Sequence, residues 1–105
     1  MSRFGEAWTE GELQGVALLF RLMGDPTRLR ILSALSGSNL CVKHISERVG
    51  TSQSATSHQL ALLRRADLVR VARSGKSVVY SLADDHVRQM LELALVHERE
   101  EGRHE

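Results

Sequence analysis

Between Val42 and Leu63 two helical patterns meet across a gap too short for anything but a tight turn. "VKHISERVG" sets Val42, Ile45 and Val49 at i, i+3 and i+7 and stops at Gly50. "TSQSATSHQLALLRRADL" begins again after two or three residues, with Thr51 or Ser52 as N-cap and Ala55, His58 or Gln59, Leu62 and Leu63 along its length. Two short helices joined this closely form a helix-turn-helix unit over about residues 42–65, and every other element has to be placed around it.

Upstream, "TEGE" has the form of a capping box, with Thr9 as N-cap and Glu12 three residues on. It opens a helix whose apolar run is Leu13, Val16, Ala17, Phe20 and Met23 and which ends at Gly24. Asp25 then caps a second helix with Pro26 at its first position, Leu29, Ile31, Leu32 and Leu35 on the buried side and Gly37 as a stop. Downstream the period changes to two. "LVRVAR" and "KSVVYSL" flank Ser74-Gly75, predicting a β-hairpin over about 68–82. A last helix runs from Asp84 or Asp85 to about Glu100, followed by the polar "EGRHE". The expected fold is mainly α, in the order α-α-α-α-β-β-α, a winged helix-turn-helix in one domain over residues 1–105. With 105 residues a single core is modest, so a second subunit would help it. No run approaches a membrane span and the N-terminus lacks a secretory pattern, which predicts a cytoplasmic chain with no membrane partner. The one cysteine, Cys41, excludes an internal disulfide.

Charge is unevenly spread. Residues 1–40 hold four basic and four acidic side chains, residues 41–80 hold seven and two, and residues 81–105 hold three and seven. A basic middle suits a surface that faces phosphates. Within it, Ser52, Gln53, Ser54, Thr56, Ser57, His58 and Gln59 crowd two turns of the second helix of the unit. A surface built only for solubility would favour Glu, Lys and Arg, whereas short hydroxyls and amides approach base edges and phosphate oxygens closely. Arg70, Arg73 and Lys76 would add a basic wing beside that helix. The expected partner is double-stranded DNA. Ser57 and His58 are neighbours, but adjacent residues on a helix point about 100° apart, so they make no nucleophile and base. No enzyme and no small organic substrate are expected.

"DDHVRQMLELALVHERE" poses a separate question, because Asp84, His86, His97 and Glu100 stand in the spacing D-x-H-x10-H-x2-E. On a helix His86 and His97 share a side but lie roughly 16 Å apart, too far to bind one ion through nitrogen bonds of about 2.1 Å. Asp84 with His86, and His97 with Glu100, are each half a site. Two copies set antiparallel about a two-fold axis bring unlike halves together and complete two sites of two nitrogens and two oxygens. Val87, Met90, Leu91 and Ala94 form one apolar stripe while Leu93, Leu95 and Val96 make other directions apolar, as in a helix buried between partners. Such donors suit zinc or cobalt; nickel prefers more ligands, and His104 would enlarge the site. The ligands leave no general base, which disfavours a metallohydrolase.

On "LFRLMGDPTRLRILSAL", "VKHISERVGTSQSATSHQLALLRRADLV", "RSGKSVVYSL" and "DDHVRQMLELALVHERE", about residues 13–100, the chain resembles the ArsR/SmtB family of dimeric metal-sensing repressors. The resemblance implies a winged-helix homodimer paired through its terminal helices, with zinc sensed at Asp84, His86, His97 and Glu100. It implies DNA binding by the metal-free dimer and release on binding metal. It also implies that the residue matching His97 gives its other ring N–H to a backbone carbonyl near Asp67. Another family site uses cysteines at the first helix of the recognition motif; here "LCVKH" retains only Cys41 with His44, so that site is expected to be absent. The alternative is a regulator of the same type whose metal site is vestigial and which answers another signal or none.

Overall fold

The computed structural model describes residues 7–101. Its elements are α1 (Glu10–Met23), α2 (Pro26–Gly37), α3 (Val42–Val49), α4 (Gln53–Arg65), β1 (Val69–Ser74), β2 (Ser77–Leu82) and α5 (Asp85–Glu101). This is the expected winged helix-turn-helix order.

The local signals act where the sequence places them. Thr9 Oγ1 accepts from the Glu12 N–H (3.1 Å) and Glu12 Oε1 accepts from the Thr9 N–H (2.8 Å), closing the capping box. Asp25 Oδ2 accepts from the Arg28 N–H at the start of α2 (3.0 Å). Gly50 adopts φ +75° after α3, a left-handed conformation that glycine takes without strain. Of the two candidate caps for α4, Ser52 serves, accepting from the Ala55 N–H (3.0 Å).

Ile31, Leu32 and Leu35 of α2, Ile45 of α3, and Leu60 and Leu63 of α4 lose all solvent contact. Leu68, Val69, Leu82, Ala83 and Val87 extend that core under the hairpin to the start of α5. The inner face of α4 is Thr56, Leu60 and Leu63; Ala55 and His58 are exposed and Leu62 is half-buried, which corrects the expected stripe. Leu29, expected on the buried side of α2, is 44% exposed and borders an open groove shared with Leu91 and Leu95 of α5.

The hairpin is antiparallel with Val69 opposite Leu82 and Ser74 opposite Ser77. Its turn is therefore Gly75-Lys76, not Ser74-Gly75. Gly75 has φ +62°, as a two-residue turn with glycine first requires. Leu40 and Tyr80 exchange backbone hydrogen bonds (3.1 and 2.8 Å), so the α2–α3 loop fastens to the wing, a pairing unforeseen in "SNLC".

Candidate functional site

At the N-terminal end of α4, Gln53, Ser54, Ser57 and His58 are exposed around the Ser52 cap. Thr56 is not among them. It is fully buried and its Oγ1 donates to the Ser52 carbonyl (2.8 Å), so the hydroxyl is satisfied within the helix and cannot reach DNA. Gln59 is half-buried, and its Oε1 accepts from Arg28 Nη1 (3.2 Å). That oxygen is engaged, leaving the amide N–H groups as its outward chemistry. Arg64 and Arg65 close the helix with basic charge.

The three basic residues of the wing are exposed but do not form one edge. Lys76 stands in the turn, Arg73 pairs with Val78 one step beyond Ser74–Ser77, and Arg70 pairs with Ser81 near the root. Because side chains alternate along a strand, Arg70 and Arg73 leave the hairpin on opposite faces.

On α5, Asp84 Oδ1 accepts from the Val87 N–H (3.1 Å), which caps the helix and leaves Oδ2 for other donors or an ion. His86 Nδ1 lies 3.7 Å from the same Asp84 Oδ1, with the imidazole side chain 87% exposed. This brings together the first expected pair. At about 100° per residue, His86, Leu93, His97 and Glu100 fall within about 60° of one another. Val87 and Leu91, which pack against the core, lie on another side of the helix, and Met90 stands at the border between the two. Leu93 is 69% exposed, at the centre of the donor-bearing face, and Val96 at its edge is also exposed. On α1, Leu13 and Phe20 are exposed on one side and Leu18 on another. Among the described residues, no three His, Cys, Asp or Glu side chains of one chain gather to hold a metal ion. The His97 imidazole makes no hydrogen bond among the described residues, so the link to a carbonyl near Asp67 is not formed within one chain. Cys41 is half-buried at the N-cap of α3 and His44 is exposed. His104 lies outside the described residues.

Two features bearing on the site were missed in the sequence. One is Arg28, whose position three residues after the Asp25 cap gave only a helix start. The other is a short route from α5 to α4: the Ala83 N–H donates to the Leu68 carbonyl (3.0 Å), and the Leu68 N–H donates to the Leu63 carbonyl (2.9 Å). Asp84 follows Ala83 directly. No helix among the described residues is long and apolar enough to cross a membrane.

Residues 25–71, from α2 into β1, match the family described as bacterial regulatory protein, arsR family. The chain is 45% identical over 82 residues to the HTH-type transcriptional regulator NmtR of Mycobacterium tuberculosis, covering 78% of this chain and 68% of that protein. It is 42% identical over 85 residues to the transcriptional repressor SmtB homolog of Synechocystis sp., covering 81% of this chain and 64% of that protein, so it spans just under two thirds of that relative's length. The homodimeric winged helix-turn-helix domain Mb0332 of Mycobacterium bovis, a possible ArsR-family regulator, superposes with a TM-score of 0.81 at 25% identity, covering 95% of this chain and 97% of that one.

Proposed function

The chain belongs to the arsR family of bacterial regulatory proteins, and from that premise we propose that it is a homodimeric, metal-responsive transcriptional repressor rather than an enzyme. The metal-free dimer holds operator DNA through the exposed N-terminal part of α4 and the Lys76 wing tip, and metal binding between subunits releases it. The observation that carries the metal part is the placement of two incomplete donor pairs at opposite ends of one exposed, apolar face of α5.

The donors fit a divalent ion of intermediate softness: two imidazole nitrogens and two carboxylate oxygens, with Asp84 and His86 already neighbours. Asp84 and His86 of one subunit with His97 and Glu100 of the other would hold zinc, cobalt or, with a further ligand such as His104, nickel. When bound, the ion supplies an attraction between the two α5 helices that the apolar face alone does not. Each protomer's own residues pass this on. Asp84 is joined through Ala83 and Leu68 to the end of α4, so a shift at the start of α5 reaches the DNA-facing helix through two hydrogen bonds. The coupling is reciprocal, so DNA must weaken metal binding by the same factor by which metal weakens DNA binding.

The test is a cobalt(II) titration of the metal-free protein, read by visible absorption, alongside fluorescence anisotropy of a DNA duplex selected by the protein from a randomised pool. Intense bands saturating at one ion per protomer, erased by zinc and accompanied by loss of anisotropy, are expected. DNA binding that ignores both ions would leave a regulator of this family answering some other signal.

A further inference from the structure

Arg28 joins three helices through one guanidinium and its own backbone. Its N–H is held by Asp25 Oδ2 (3.0 Å), which fixes it on the first turn of α2. Its Nε donates to the Leu22 carbonyl (2.8 Å), one of the last carbonyls of α1, which have no partner inside their own helix. A cation at that end also complements the helix dipole. Its Nη1 donates to Gln59 Oε1 (3.2 Å), midway along α4. The side chain is half-buried, so these bonds are partly shielded from water.

We propose that Arg28 is a positioning residue for DNA binding: it clamps α4 to the end of α1 and the start of α2, so that the attitude of the DNA-facing helix is set by those two helices. The inference rests on the DNA-binding part of the reading above and is independent of the metal part. Three features of the geometry support it. Gln59 adjoins Ser57 and His58, so tying its oxygen fixes both the rotation of α4 and the amide that it presents. The Leu22 carbonyl belongs to the last turn of α1, where displacement of that helix is felt directly. A planar guanidinium can aim separate, rigidly spaced nitrogens at the two acceptors, whereas the single nitrogen of a lysine cannot hold both.

The clamp makes Arg28→Lys informative, because charge is kept and geometry is lost. Binding to a duplex selected from a randomised pool by the wild-type chain is measured for the metal-free protein over a range of salt concentrations, for wild type, R28K, Q59A and the double variant. Circular dichroism checks that each variant is folded. R28K and Q59A are each expected to weaken binding at least about tenfold, the loss typical of a hydrogen bond to a charged group. The double variant should be no weaker than the weaker single one, because both cut one link. The slope of affinity against salt should stay as in the wild type. Three results overturn the proposal: R28K binding like wild type, losses that add in the double variant, or a salt slope reduced by about one, which would make Arg28 a direct phosphate contact. If wild type selects no duplex, the DNA-binding reading itself falls and the clamp's role with it; if zinc fails to release the duplex, only the metal reading falls.

Discussion

Leu93→Gln removes an apolar side chain from the centre of the face that carries His86, His97 and Glu100, with little expected change within the protomer. Leu93 is 69% exposed in the single chain. Full burial of a leucine stabilises by about 1.5–3 kcal/mol, so covering the exposed part is worth roughly 1–2 kcal/mol per copy. Two-fold symmetry counts the residue twice, giving roughly 2–4 kcal/mol, or about 30-fold to 900-fold in the dimer dissociation constant. Glutamine has good helix propensity and similar length, so α5 itself should persist. Sedimentation equilibrium of wild type and L93Q over a wide concentration range measures the shift. Cobalt binding of L93Q should weaken in step wherever the variant is monomeric. A variant that dimerises within about twofold of wild type would refute the assignment of this face to the interface.

Other consequences follow from the same geometry. Asp84→Asn keeps an N-cap for α5 but removes a charged donor, so stability should change by no more than about 0.5 kcal/mol while cobalt affinity falls more than about tenfold; calorimetry of folding and binding separates the two. Lys76→Gln at the wing tip should weaken all duplexes to a similar degree and lower the salt slope by about one, as read by anisotropy. Leu60→Ala opens a cavity in the core cluster to which Ile31, Leu35 and Ile45 also belong and should cost about 2–5 kcal/mol in denaturant unfolding, with lost DNA binding as a consequence of lost fold.

The caps and stops were legible because each is decided within four residues: the Thr9–Glu12 box, Asp25-Pro26, Gly50 and Ser52 all act as their spacing implies. The hairpin was legible in kind but not in register. Ser74-Gly75 and Gly75-Lys76 are equally plausible turns in isolation, and the choice belongs to the cross-strand pairs Val69–Leu82 and Val71–Tyr80 that the core fixes. Thr56 misled for a chemical reason, since a threonine that bonds its own helix carbonyl can be buried like a valine. Arg28 and the Ala83–Leu68 contact were illegible because they join residues brought together only by the tertiary fold. The candidate metal residues were legible as two halves, and the single chain keeps the halves apart on α5, as helix geometry requires.

A metal site shared between subunits can be tested by complementation. One variant lacks Asp84 and His86 by alanine substitution, another lacks His97 and Glu100 in the same way, and differently tagged copies are co-expressed and purified as the heterodimer. Each homodimer then has no complete donor set, whereas the heterodimer regains one. Neither homodimer should give intense cobalt bands, and the heterodimer should bind about one tetrahedral ion. A heterodimer as silent as its parents, or a homodimer that still binds cobalt like wild type, would contradict a shared site.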